Sequence, residues 1–307
     1  WDGTGLYAGT AGHGVWRYDP ATGSWTGTGG ELADKDVRSL AWSGSSLYAS
    51  YVSNTPTSAS GVWRYDPASG AWENLYSPNV PIVCLAWGGS CLYAGGRGVW
   101  RYDPSSGAWT NTGGIPDSDF YYALSLAWSG SALYAGGMYS TGTNIGGTGV
   151  CRYDPTTGAW ADASGEIAGK IISSLAWGGS SLYAGCWSYR KPYAYYHGVW
   201  RHDPASGAWT DTQGPVADSL IPSLCWNGSG LFAGAVTIGS SGTNPSCSAW
   251  YFDPASGTWT DAGWPMAGTQ TGPTAFAWDG EGRMYVGTVD MSTTQPTGGD
   301  GVWYCEV

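Results

Sequence analysis

Trp187, Tyr189, Arg190, Lys191, Tyr193, Tyr195, Tyr196 and His197 stand within one stretch, GCWSYRKPYAYYHG at 185–198, the densest gathering of recognition-capable side chains in the sequence. Rings with polar tips stack on the apolar faces of sugars or anchor a protein partner, while hydroxyl and guanidinium groups stay hydrogen-bonded. The same rings can instead fold onto neighbouring segments as a satellite core, and both readings stand at this level. Tyr121, Tyr122 and Tyr139, with Asp117 and Asp119, join Trp187, Tyr189, Arg190, Tyr193, Tyr195 and Tyr196 as candidate ligand-binding residues. Asp34, Asp36, Glu166 and Asp218 add carboxylates in similar segments; oxygen ligands can hold Ca²⁺, but no EF-hand spacing occurs and an ordinary solvated acidic rim explains them as well.

Catalysis needs a constellation, and the sequence offers none. The only imidazoles are His13, His197 and His202. His197 and His202 lie five residues apart in one extended segment, hence on opposite faces. The seven Cys are scattered with no CxxC spacing, and neither a serine-hydrolase elbow nor a phosphate-binding loop occurs. No cofactor, no metal and no enzymatic activity are expected.

The elements that must position these side chains follow from composition and repetition. Over 307 residues only 11% are charged and 15% aromatic, with 51 Gly, 21 Trp and 21 Tyr, which excludes a disordered acidic chain and a helix bundle. A formal net charge of −11 without any Lys/Arg cluster repels phosphate backbones, so nucleic acid is excluded as a partner. No run of 18 apolar residues exists, so no helical membrane span is expected. Sparse Lys beside abundant Ser, Thr, Gly and Trp points to an extracellular or cell-surface protein.

A unit of about 37–51 residues recurs along the whole chain. One half reads GVWRYDPATGSWT at 14–26 and returns at 61–73, 98–110, 149–161, 198–210 and 248–260, with a shortened GVWYCEV at the end. The other half reads SLAWSGSSLYAS at 39–50 and returns around Trp87, Trp128, Trp177, Trp226 and Trp278, with WDGTGLYAGT at 1–10 as its first, cut copy. Short aromatic and β-branched runs broken by Gly-rich or Asp-Pro turns predict four strands per unit: A (SLAW), B (SLYAG), C (GVWRYD) and D (GAWT). The SGS or GGS triplet and the DPxxG segment are tight hairpin turns, and the Asp of DPxxG caps its own turn. Four-stranded antiparallel sheets have two apolar faces to hide, and radial stacking hides both.

The expected fold is therefore all-β, a seven-bladed β-propeller of four-stranded antiparallel blades. Its first and last blades each lack one strand, A and D respectively. The blades span 1–30, 31–76, 77–114, 115–165, 166–214, 215–264 and 265–307 of a single domain, expected to belong to a longer polypeptide. Of the 21 Trp, 19 occupy A, C or D positions and read as scaffold, leaving Trp187 and Trp264. Arg17, Arg64, Arg101, Arg152 and Arg201 recur at one strand C position; such a ring of guanidiniums either binds an anion or packs against Trp and carboxylates, the structural role being expected. Cys84 and Cys91 do not reach disulfide distance in either hairpin register weighed, with Trp87 opposite Cys91 or opposite Ser90, and Cys151 and Cys305 read as buried thiols.

The LYAGG at Gly95, Gly96, Gly136 and Gly137, with YDPASGAW at 65–72, resembles the kelch-repeat propellers over essentially the whole chain. The Gly pair survives in two copies only, the others reading AGT, ASY, AGC, AGA and VGT. Some kelch-like propellers are copper-radical oxidases; that resemblance implies two His and a Cys-linked Tyr in one pocket, which no grouping here matches.

A-to-B and C-to-D turns emerge at one end of a meander, and B-to-C and D-to-A connections at the other. The first set is nearly uniform and the second variable, which places function on the B-to-C/D-to-A face. The expected role is a non-enzymatic recognition or interaction module for a protein or cell-surface glycan. The alternative is a structural domain in a larger assembly, beside a neighbouring domain or repeated copies.

Overall fold

In the computed structural model, which describes residues 1–52, 60–76, 80–113, 121–141, 145–190, 193–237, 246–264, 271–290 and 301–307, every Asp-Pro segment closes a hairpin through its aspartate. The amides of Ala21, Ala68, Ser105, Thr156, Ala205 and Ala255 donate to the Oδ1 of Asp19, Asp66, Asp103, Asp154, Asp203 and Asp253 at 2.8–2.9 Å. The glycine that ends each turn donates its amide to the carbonyl of the same aspartate, from a left-handed backbone conformation that only glycine adopts cheaply (φ 69° at Gly23, 76° at Gly207).

These turns join strands into seven antiparallel meanders. The first has three strands, β1 (Leu6–Gly9), β2 (Val15–Asp19) and β3 (Ser24–Gly27). The second holds β4 (Asp36–Trp42), β5 (Leu47–Val52), β6 (Gly61–Asp66) and β7 (Ala71–Asn74), and the third β8 (Ile82–Gly88), β9 (Cys91–Gly96), β10 (Gly98–Asp103) and β11 (Ala108–Asn111). In the fourth are β12 (Tyr121–Trp128), β13 (Leu133–Ser140), β14 (Ile145–Asp154) and β15 (Ala159–Asp162). The fifth contains β16 (Ile171–Gly178), β17 (Ser181–Arg190), β18 (Tyr193–His202) and β19 (Trp209–Asp211). The sixth comprises β20 (Leu220–Trp226), β21 (Leu231–Thr237), β22 (Ser246–Asp253) and β23 (Thr258–Asp261). The seventh ends with β24 (Thr271–Trp278), β25 (Arg283–Asp290) and β26 (Gly301–Glu306), again three strands. The described residues contain no α-helix, and the fold is a seven-bladed β-propeller whose first and last blades lack strands A and D.

The chain divides into two compact units, Trp1–Ala135 with Tyr139–Thr141 and Cys151–Asp162, and Gly136–Met138 with Gly142–Val150 and Ala163–Val307. In the first, one aromatic pattern repeats between successive blades. The strand B ring stacks on the strand A Trp of the next blade, as Tyr7 on Trp42, Tyr48 on Trp87 and Tyr93 on Trp128, with centroids 5.4–6.2 Å apart. The same ring meets the next strand C Tyr edge-on at 6.2 Å for Tyr7–Tyr65 and Tyr93–Tyr153. That Tyr in turn lies against its own strand D Trp, as in Tyr65–Trp72 and Tyr102–Trp109. The indole N–H then reaches back: Trp72 donates to Thr28 Oγ1, Trp109 to the Leu75 carbonyl and Trp160 to Thr112 Oγ1 at 2.9–3.2 Å.

The second unit repeats the pattern with Tyr183–Trp226, Tyr183–Phe252, Phe252–Trp259 and His202–Trp209, and Trp209 Nε1 donates to the Ala163 carbonyl at 2.8 Å. Trp259 departs from it, its buried indole N–H meeting no acceptor among the described residues. Trp264, outside the repeat positions, is buried in the same unit against Phe276. Strand A carries small residues for a reason beyond space. Ser223 Oγ accepts the Phe276 amide at 3.2 Å, and Ser174 Oγ donates to the Ile221 carbonyl at 2.7 Å, each linking one strand A to the next. Ser39 does the same in the first unit, accepting from Leu85 N at 3.0 Å.

Two readings are settled by register. In the β8–β9 hairpin Trp87 faces Leu92 and Gly88 faces Cys91, which is neither register weighed from the sequence, because a two-residue turn, Gly89-Ser90, closes it. Cys84 faces Gly95 instead, and all seven cysteines are free thiols. Cys151 is buried, whereas Cys305 is only half-buried. Burial pushes the Cys84 thiol up to about 12 and Cys151 to about 11, away from the reactive thiolate. Iodoacetamide is expected to leave both unlabelled in the native protein at pH 8 and to label them in urea; mass spectrometry of native digests showing either one alkylated would contradict this.

The five strand C arginines do not form an anion ring. Arg17 pairs with Asp2 at 3.3 Å and lies over Tyr7, Arg64 pairs with Glu73, and Arg101 and Arg201 donate to Cys91 Sγ and Ser181 Oγ at 3.1 and 3.0 Å. Burial raises the Tyr134 pKa, and the Arg152 guanidinium beside it pulls the other way. Each arginine is tied within its own blade to whatever the adjacent strand presents.

Candidate functional site

The stretch at 185–198 reads from sequence as a long irregular loop, and most of it is strand instead. Beyond Gly185↔Val199 the β17–β18 ladder continues through Trp187↔Tyr196, Ser188↔Tyr195, Tyr189↔Ala194 and Arg190↔Tyr193. The matching β9–β10 hairpin stops one pair past Gly95↔Val99, at Gly96↔Gly98, and turns on Arg97. Alternating Trp and Tyr suit a pleated surface as well as they suit a loop, so only cross-strand pairing distinguishes the two.

A bulge sets the direction of this extension. The register shifts between Gly185 and Trp187, opposite His197 and Gly198. Gly198 takes φ 60°, and its absent Cβ leaves room for the Val216 carbonyl, which a methyl group would meet at 2.6 Å. Val216 belongs to a one-turn 3₁₀ segment, Gly214–Val216, in the connection from β19 to β20, so a D-to-A segment braces the base of the hairpin.

Directly opposed residues share a face of the ladder, so Trp187 and Tyr196 lie on one side, both half-buried, with Ile171 of β16 next in line. Ser188 and Tyr195 occupy the other side, where Ser188 Oγ and His197 Nε2 are 3.0 Å apart. Tyr195 is 48% exposed. Burial lowers the His197 pKa, and the Lys170 ammonium lowers it further. Lys170 Nζ in turn sits 5.4 Å from the Trp200 ring centre, and Trp200 Nε1 donates to the His197 carbonyl at 3.1 Å. The base of the hairpin is thus a polar-aromatic cluster of Ser188, His197, Trp200 and Lys170 beneath an exposed tyrosine. Lys170 and Ser188 were not singled out from sequence; their only signal was the register that brings them to His197.

The remaining candidates separate. Tyr121 is 3% exposed and packs among Tyr93, Ala123 and Leu133, so it is core rather than a ligand contact: it opens strand β12 with its ring turned inward. Tyr122 and Tyr139 are half-buried in strands β12 and β13, not in loops. Tyr189, Arg190 and Tyr193 take the register positions given above. Asp117, Asp119 and Lys191 lie outside the described residues. Among the carboxylates, Asp34 pairs with Lys35 at 2.7 Å, Asp36 with Arg38 at 3.7 Å, and Glu166 Oε2 accepts the Trp209 amide at 3.0 Å. Among the described residues no three or more His, Cys, Asp or Glu side chains gather as metal ligands, and no helix is long and apolar enough to cross a membrane.

No family model matches this chain, and no curated protein does. Solved structures match by fold. A chain of a mitotic checkpoint complex crystal structure superposes with a TM-score of 0.66 at 17% identity, covering 100% of this chain and 88% of that one. The GH74 xyloglucanase of Xanthomonas campestris superposes at 0.67 and 16% identity, over 98% of this chain but 52% of the xyloglucanase, about half its length. At such identities the likeness establishes the propeller and leaves the kelch family resemblance without further support.

Proposed function

We propose that this chain is a non-catalytic recognition module of the cell exterior, with the β17–β18 hairpin as its contact surface and a protein or cell-surface glycan as its ligand. The observation that carries the reading is the four-pair extension of that hairpin, which holds Trp187, Tyr195 and Tyr196 on a regular ladder with Tyr195 exposed. Rigid aromatic side chains on a braced hairpin lose little conformational freedom on binding, which suits recognition. The imidazoles support a non-catalytic role: His202 fills a ring position of the scaffold against Trp209, and His197 is taken up by Ser188. The propellers it resembles include a glycoside hydrolase and a member of a checkpoint assembly, so fold likeness favours neither ligand class.

A glycan array probed with the purified chain, beside Tyr195→Ala and Trp187→Ala variants with native circular dichroism, tests this. Glycan binding that falls at least about tenfold in either variant supports a carbohydrate reader at this hairpin. Glycan binding unchanged in both variants overturns the hairpin assignment. A blank array on the intact chain removes the glycan and leaves the protein ligand.

A further inference from the structure

Strand D leaves its blade through a recurring corner. Strands β7, β11, β19 and β23 end on Asn74, Asn111, Asp211 and Asp261. Through Oδ1 each of these side chains accepts the amide two residues on, that of Tyr76, Gly113, Gln213 and Gly263, at 2.8–3.0 Å. The residue so held turns left-handed, with φ 46°, 81°, 51° and 70° in that order, and Gly29 does the same after β3 at 65°. Only glycine adopts such a backbone without strain. Blade four avoids it, because Ser164 sits at φ −75° and its hydroxyl oxygen accepts the Val150 amide at 3.0 Å.

The corner also offers nothing to pack against. A Cβ placed on Gly29, Gly113 or Gly263 meets no atom within 4 Å. Tyr76 holds the same position with 86% of its surface exposed, the most of any large apolar side chain described, and Gln213 is exposed as well. Among the described residues these two are the non-glycines at positive φ. Both side chains therefore stand where the backbone calls for glycine and where folding recovers nothing from them in packing. Strain of this kind gathers at binding sites.

We propose that this corner is a subsite for a neutral glycan in blades two and five, where the Tyr76 ring is a stacking platform for a sugar face and the Gln213 amide hydrogen-bonds sugar hydroxyls. The proposal rests on the recognition reading above for its ligand class, not on the β17–β18 hairpin. Atoms that the turn does not use complete each corner: Asn74 Nδ2 is a donor and Asp211 Oδ2 an acceptor for hydroxyl groups. A lone ring bordered by polar side chains suits a sugar, with its apolar faces and polar rim. Anchors of protein interfaces gather instead in desolvated apolar clusters. Glu73, Asp211 and a net charge of −11 disfavour an acidic sugar. In blade five the corner adjoins the hairpin base, since Gln213 caps the 3₁₀ segment whose Val216 carbonyl lies against Gly198.

The test is an array of neutral and acidic glycans probed with the intact chain and with Tyr76→Gly, Tyr76→Phe and Gln213→Gly. Neutral glycans are expected to bind, at least about fivefold more weakly to Tyr76→Gly and about threefold more weakly to Gln213→Gly, while Tyr76→Phe keeps its ring and stays within about twofold. Each glycine variant should at the same time gain about 1–3 °C in melting temperature, because glycine relieves the backbone. Binding and stability then move in opposite directions, which a merely structural role of either side chain would not give. Unchanged binding in either glycine variant, binding confined to acidic glycans, or a melting temperature lowered by more than about 3 °C in Tyr76→Gly overturns the inference. A blank array overturns it too and leaves the hairpin with a protein ligand. Loss of binding in Tyr195→Ala or Trp187→Ala alone overturns it while sparing the hairpin assignment. Loss in the glycine variants alone supports it and overturns the hairpin as the contact surface.

Discussion

Trp209→Ala is expected to lower the stability of the chain by about 3–5 kcal/mol, the range for removing a large ring from a packed interior. Trp209 is 4% exposed, lies tilted against His202 at 4.8 Å, and donates its indole N–H to Ala163 of the preceding blade. Its backbone amide is also held by Glu166. Truncation thus opens a cavity, strips His202 of its cover and cuts an inter-blade bond together. Trp209→Phe keeps most of the ring and loses the bond, and should cost about 1–2 kcal/mol. Trp25→Ala, at the same repeat position but 37% exposed, should cost about 1 kcal/mol. Urea midpoints of the three variants check the order, and a Trp25 variant as damaged as the Trp209 variant would show that the repeat position, not burial, sets the energy.

Acid should unfold the chain through its turns. Asp19, Asp66, Asp103, Asp154, Asp203 and Asp253 all hold pKa values below the ordinary 3.8. For Asp66, Asp103, Asp154 and Asp253 the largest downward pull comes from the Ser or Thr hydroxyl inside the turn, and for Asp19 and Asp203 from the amides of Ala21 and Ala205. A carboxyl that is more acidic in the folded chain than in the unfolded one favours folding above the unfolded value. That contribution disappears as the pH falls through the folded value. Six turns losing it together should make the melting temperature drop steeply below about pH 4.

A gentler slope precedes that drop. Burial lowers the pKa of His202 and of His197 below 6.5, so below that pH the unfolded chain takes up protons that the folded chain refuses. Melting temperature should therefore decline gently from about pH 6.5 toward 5, and His202→Phe, which restores the ring found in the sixth blade, should flatten part of that slope. A scan by differential calorimetry showing no fall between about pH 4 and 3 would remove the turn carboxylates as the cause.

Much of this architecture is written in single residues. The Asp and Gly of each DPxxG turn can close a hairpin in only one way, because the carboxylate reaches the amide two residues on and the glycine accepts a left-handed backbone. The recurrence of Trp at the A, C and D positions marks the rings that must stack. The count of strands at the two ends, B-C-D and A-B-C, follows from where the repeat is cut, and the sheets confirm it.

Where a side chain points at the variable end was not legible. Tyr121 and Tyr195 are the same residue type in similar segments, yet one is packed among Tyr93 and Leu133 while the other faces solvent. Tyrosine suits core and surface alike, and only the neighbouring strand decides which. The stretch at 185–198 likewise carries no periodicity that separates loop from ladder; cross-strand pairing and the bulge at His197–Gly198 made it a hairpin and brought Ser188 to His197.

The sequence by itself determined the blade count, the turn chemistry and the aromatic scaffold, because each rests on local bonding repeated along the chain. Tertiary structure alone decided which rings remain exposed and what each arginine pairs with, because those depend on what the adjoining strand presents.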